Sequence, residues 1–174
     1  MELPAISPRD RGILRDLARH QAELAAKEEN RERIALWYAH NDGQGSRPML
    51  HLELGPFAQE VIEPRLRCQG PAARAIERRL YENFANQEFF DDDRVTPDYF
   101  AVHYDSGFVP FGLEVQVEHT AARDGSASLG HHFVEQIRDL DEDYHKLGPS
   151  RLLASAEGLG EKIAYVEELL GDIL

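Results

Sequence analysis

Two adjacent histidines, His131 and His132, follow Gly130 and precede Glu135 in the stretch SLGHHFVEQIRD. Imidazole changes charge near neutral pH and is the commonest metal ligand, so the pair points to acid–base or metal chemistry. What it can do depends on the local backbone. In a strand, neighbouring side chains point to opposite faces, and the two histidines cannot serve one ion. In a helix, His131 and Glu135 stand at i and i+4, a spacing two ligands can share. A zinc site takes three or four ligands, and His103 and His119 join this pair only if folding brings them there. The alternative to a site is one exposed and one hydrogen-bonded histidine.

A second candidate lies in MLHLEL, residues 49–54. Read as a strand, this segment places His51 and Glu53 on one face with Met49, and Leu50, Leu52 and Leu54 on the other. Glu53 falls near the strand's C-terminal end, where barrel enzymes carry their reacting groups. The plainer reading is a solvated polar face. Cys68 has Arg65 and Arg67 close in sequence, which would depress a thiol pKa if they were also close in space. With no CxxC and no histidine beside it, a structural cysteine is expected. The acidic runs 91–93 and 139–143 lack the twelve-residue calcium-loop pattern and read as turn and cap chemistry. The sequence has no phosphate-binding glycine loop, GxSxG, HExxH or dinucleotide fingerprint.

The elements that must position these residues are legible in part. Ser7-Pro8-Arg9-Asp10 reads as a helix start, followed by Ile13, Leu14, Leu17, Ala18, Leu24 and Ala25 at helical spacing. Asn30 is read as the cap of a second helix carrying Ile34, Trp37 and Tyr38, ended by Gly43 and Gly45. Gly70-Pro71 opens a third, with Ala73, Ile76, Leu80 and Phe84 as its apolar stripe. FFDDDRVTPDYF is a polar connection. YFAVHY (99–104) and GLEVQVEH (112–119) read as extended, TAARDGSAS as a loop, and HHFVEQI as a short strand. Asp139 or Asp141 caps a short acidic helix that Gly148-Pro149 ends. A last helix spans about 158 to 170 and carries Leu159, Ile163, Val166 and Leu170. Ile173 and Leu174, past a helix-stopping glycine, read as the first step of a buried strand, and the chain is therefore expected to be cut from something longer.

The chain has 174 residues, enough for one domain with a real core. A net charge of −13 argues against a nucleic-acid partner, which needs clustered Lys and Arg. No apolar run approaches the ~20 residues of a membrane span. The first residues lack the basic start and apolar stretch of a signal peptide, and the single cysteine fits a reducing compartment, so a cytoplasmic protein is expected. Charge is uneven: 13 basic against 12 acidic residues in 1–80, and 6 against 20 in 81–174. Arg65, Arg67, Arg74, Arg78 and Arg79 form either a solvated face or a docking surface for an acidic one. Helices come first, then strands and helices mixed, which suggests α/β or α+β.

Taken together, ISPRDRGILRDLARHQAELAA, RPMLHLEL, LRCQGPAARAIERRLYENFANQEFFDDDRVTPDYF, GFVPFGLEV, GHHFVEQIRDLDEDYHKL and VEELLGDIL resemble, in this order, the uroporphyrinogen decarboxylase-like proteins of bacteria. The resemblance covers nearly the whole chain and rests on family habits rather than a catalytic signature. It implies an α/β fold: leading helices (1–46), then (47–174) the first strand of a (β/α)8 TIM-type barrel and a hairpin-like insertion with following helices. It also implies a parent about twice as long, of which this is a single N-terminal domain. Uroporphyrinogen decarboxylases proper use an early RQAGR-like motif, which is absent here. The related methyltransferases move a methyl group to or from a corrinoid protein, with zinc held by ligands in the later half of the barrel. The resemblance thus places no zinc ligand or cofactor on this chain, and leaves His131 and His132 at the mouth of the substrate site.

The expected function is therefore the N-terminal part of a zinc- and corrinoid-linked methyltransferase for a small methylated compound, inactive alone. Its expected partners are the missing C-terminal half and a corrinoid protein. Two alternatives stand beside it. One is an interaction module that pairs as a homodimer through its arginine-rich and acidic surfaces. The other is a small metal- or ligand-binding domain built from GLEVQVEH and GHHFVEQI.

Overall fold

The structure, a computed structural model, describes residues 4–103, 105–119 and 130–174. It divides into two compact units. The first joins residues up to Val102 with Gly160–Leu174; the second is His103–Leu159. Chain order gives α1 (Pro8–Ala25), α2 (Glu28–Asn41), α3 (Ala58–Val61), α4 (Pro71–Phe89), β1 (Asp105–Val109), β2 (Val117–His119), β3 (His131–Phe133), α5 (Leu140–Asp143), β4 (Arg151–Ser155) and α6 (Leu159–Leu170). The mixture of helix and strand is as expected. Among the described residues the strands form two separate antiparallel pairs, β1–β4 and β2–β3, and no closed barrel.

The first unit is built on α1 and α4. The Ser7 hydroxyl accepts from Asp10 N–H at 3.0 Å and Pro8 takes the first helical position, as the sequence predicts. Leu14, Leu17, Ala18 and Leu24 of α1 then meet Ala73, Ile76, Leu80 and Phe84 of α4 in one core. Leu169 and Leu170 of α6 complete it, with Ile173 and Leu174 packed against its side. Arg15 fastens this end of the chain to α1. Its guanidinium donates to Leu169 C=O and, bidentately, to the Asp172 carboxylate at 2.7 and 2.6 Å. Gly171 sits so close to the last turn of α6 that a Cβ would lie 2.7 Å from Glu167 C=O.

Polar side chains hold the long connection after α4. Asn30 is not the cap of α2, which begins after Lys27. It is buried, donates to Ala25 and Thr96 C=O, and accepts from Thr96 N–H. Gln21 donates to Pro97 and Tyr99 C=O and is itself held by Asn83. Trp37 donates its indole N–H to Asp93 C=O at 2.6 Å. Buried amides thus take the part that a sheet ladder plays elsewhere.

Several expectations for the strands are corrected. Residues 49–54 belong to no ladder, and Leu50 and Leu52 are exposed while Leu54 is buried. Within 99–104 the described residues are irregular, and the first strand begins at Asp105. Of GLEVQVEH, Val117–His119 forms β2. The TAARDGSAS loop lies outside the described residues. β4 is an element that sequence reading missed. It pairs with β1 in a register that sets Phe108 opposite Leu152 and Gly107 opposite Leu153. A tight corner after β1 places Phe111 at φ 51°, a left-handed conformation costly for an aromatic residue. Gly148 N–H donates to Phe111 C=O at 2.7 Å, and Phe111 N–H donates to the Ser150 hydroxyl at 2.9 Å, which holds the corner.

Candidate functional site

His51 and Glu53 lie on the segment Pro48–Leu54 in the first unit, both exposed. The segment is fixed by the acidic turn after α4. Leu50 N–H donates to the Asp93 carboxylate and Leu52 N–H to that of Asp92. Leu50 C=O accepts from Asp93 N–H, and Leu52 C=O from the Asn86 amide. Residues 50 and 52 therefore use both backbone groups on one edge, the i, i+2 alternation of a strand. The N–H and C=O of His51 and Glu53 make no hydrogen bond within the described residues. The alternation lies in backbone hydrogen bonding alone, met by Asp92, Asp93 and Asn86 rather than by a neighbouring strand; residues 50–53 are all exposed, so the two side-chain faces expected from the sequence are not formed.

Asp93 is the hinge of this arrangement. It is nearly buried and takes a bidentate pair from Arg47 at 2.5 and 2.8 Å as well as Leu50 N–H. The Arg47 hydrogen bonds, opposed by burial and aided by Leu50 N–H, bring its carboxyl down from 3.8 to about 2. A carboxylate held below its unfolded value stabilises the fold above that value and stops doing so as pH falls through the folded one. The anchoring of residues 47–52 is therefore expected to weaken between about pH 4 and pH 2. An acid titration followed by Trp37 fluorescence checks this: Asp93→Asn should remove the transition in that window, and an unchanged acid midpoint would contradict it.

Cys68 is buried, its thiol 3.9 Å from Asp10 C=O. Burial first, and then the Glu77 carboxylate, push the thiol up from 9.0 to about 12. Arg67 opposes this and loses, so the arginines near Cys68 in sequence do not activate it. A structural cysteine is what the chain contains. Iodoacetamide at pH 8 is expected to leave Cys68 unmodified in the native protein and to alkylate it after unfolding; rapid native alkylation would overturn this assignment.

The arginine-rich surface is paired largely within itself. Arg74 and Arg78 both reach Glu63, Arg79 reaches Glu82, and Arg65 lies 4.3 Å over the Phe89 ring. The acidic runs are turn and cap chemistry as expected. Asp139 accepts from Asp141 and Glu142 N–H at the start of α5, and Asp143 pairs with Lys146. A cleft of about 660 Å³ in the first unit is lined by polar groups of which His20 is hydrogen-bonded to Glu88 at 2.9 Å and Arg33 is paired with Asp91 at 2.6 Å, beside Lys27 and Glu29.

In the second unit the strand reading of GHHF is the one adopted, so His131 and His132 project from opposite faces. Cross-strand register pairs His119 with His131 and Glu118 with His132. All four side chains are exposed. Beside this hairpin runs an apolar groove of about 390 Å³ lined by residues that include Phe111, Leu113, Val115, Phe133 and Ile137.

Among the described residues no three histidine, cysteine, aspartate or glutamate side chains converge as a metal centre. The sole thiol is buried and held protonated. This donor set does not fit a catalytic zinc. No described helix is long and apolar enough to cross a membrane. The chain matches no protein-family model, no curated protein and no solved structure.

Proposed function

We propose that the chain is the N-terminal part of a uroporphyrinogen decarboxylase-like enzyme, of the branch that transfers methyl groups between a small methylated compound and a corrinoid protein. The sequence resemblance supports this reading along nearly the whole chain. One structural observation supports it most: the segment 48–54 behaves as a strand held on one edge, with the backbone groups of His51 and Glu53 without hydrogen bonds among the described residues and Leu50 and Leu52 exposed. A first barrel strand awaiting neighbours has these properties.

In this reading α1, α2 and α4 are the leading and flanking helices, and the β2–β3 hairpin belongs to an insertion. Glu53, with His51, sits toward the end of the strand from which barrel enzymes present polar groups to substrate. The resemblance puts the zinc ligands in the later half of the barrel, and no zinc centre forms among the described residues, so zinc and the corrinoid partner are assigned to the remainder of the parent. The chain contributes scaffold and part of the mouth, and it has no turnover alone. Incubating it with a methylated donor and reduced cobalamin should leave the cobalamin spectrum unchanged. Methyl transfer by the isolated chain would refute the reading.

A further inference from the structure

We propose that the β2–β3 hairpin carries a surface site for a divalent first-row transition-metal ion, held by His119 and His131. This site does not depend on the reading of the parent enzyme and would hold if that reading failed. His119 and His131 are directly opposite each other in the antiparallel pair. Val134 N–H donates to Gln116 C=O at 3.0 Å, which makes residues 116 and 134 a hydrogen-bonded pair. Such pairs alternate along an antiparallel ladder, so 118 and 132 are hydrogen-bonded and 119 and 131 are not. Non-hydrogen-bonded partners have the closer side chains, with Cα atoms about 4.5 Å apart.

The two imidazoles are accordingly neighbours, with ring centroids 6.4 Å apart and planes inclined at 58°. An ion about 2.0–2.1 Å from one nitrogen of each ring can sit between them after small rotations about the side-chain bonds. The edge of one aromatic ring against another steadies His131, whose centroid lies 5.0 Å from that of Phe133 at 82°. His132 is excluded, because it leaves the opposite face beside Glu118. Two imidazoles with water in the remaining positions suit Cu2+ above Ni2+ or Zn2+, and do not suit Mg2+ or Ca2+, which take oxygen ligands.

The test is titration of the full chain, prepared without a polyhistidine tag, with Cu2+ by calorimetry and electron paramagnetic resonance. One equivalent should bind with a nitrogen-coupled signal, and Mg2+ should give no heat. His119→Gln and His131→Gln should each weaken binding by at least the roughly tenfold that loss of even an outer-shell partner costs. His132→Gln should leave affinity and signal unchanged. All three positions are exposed, and circular dichroism establishes that each variant keeps the fold. Failure of the parent chain to bind one equivalent, or an equal loss in the His132 variant, would overturn the proposal.

Discussion

Phe84→Ala is expected to lower the unfolding free energy of the first unit by about 3–5 kcal/mol. Phe84 is 1% exposed and stands where the α1 and α4 stripes meet. Its ring packs edge-on against His20 at 5.1 Å and obliquely against Tyr81 at 5.3 Å. Truncation removes the transfer free energy of a benzyl group and leaves a void that two helices, each tied to other elements, can close only partly. Domain stabilities are about 5–15 kcal/mol, so the loss is a large share of what is available. Urea unfolding followed by Trp37 fluorescence should show a lower midpoint with an unchanged slope. A cost below about 1 kcal/mol would mean that the α1–α4 seam is not the core.

Glu77→Ala is the second large effect. Glu77 is fully buried with no ion pair among the described residues, and its carboxylate is held by backbone instead. It accepts Arg67 N–H on both oxygens, at 2.8 and 3.0 Å, and Cys68 N–H at 2.8 Å. The next two N–H groups, of Gln69 and Gly70, go to the buried carboxylate of Asp10. Hydrogen bonding from Gly70, against the opposing cost of burial, holds that carboxyl below its ordinary range. Four consecutive amides leading into α4 are therefore satisfied by two carboxylates, one of them reaching across from α1. Charged hydrogen bonds contribute about 1.5–3 kcal/mol each, so stranding two donors should cost about 3–6 kcal/mol. Glu77→Gln keeps one acceptor and should cost less. Loss of the carboxylate should also bring the Cys68 thiol down and raise its alkylation rate. A Glu77→Ala protein as stable and as unreactive as its parent would contradict this account of the loop.

What the sequence disclosed and what it hid divide along physical lines. α1 and α4 were legible because cap chemistry and apolar spacing are local: Ser7 and Pro8 start one, Gly70 and Pro71 the other; the predicted stripe of α4 is buried, and so are Leu14, Leu17, Ala18 and Leu24 of α1, with Ile13 and Ala25 half-buried. Asp10 read only as part of the start of α1, but its carboxylate serves the entry to α4, a long-range contact no local pattern encodes. Asn30 offered a good cap and instead bridges to Thr96, because a buried connection needed an amide there. MLHLEL alternates in sequence, yet alternation cannot say whether a strand will meet it, and here the side chains of Asp92, Asp93 and Asn86 take the backbone groups of Leu50 and Leu52 with Asp93 N–H. β4 escaped because Arg151–Ser155 is short and exposed throughout, and its partner lies more than forty residues away. The strand alternative for His131 and His132 was available from sequence. That His119 stands opposite His131 follows from register, which the pairing alone reveals.

The claim that this chain is the first part of a larger barrel enzyme is tested most directly by sequencing its gene past the codon for Leu174. The account predicts an open frame that continues far enough to complete a barrel of about 250 residues or more, with histidine and cysteine ligands for zinc in that continuation. A stop codon immediately after Leu174 would contradict it.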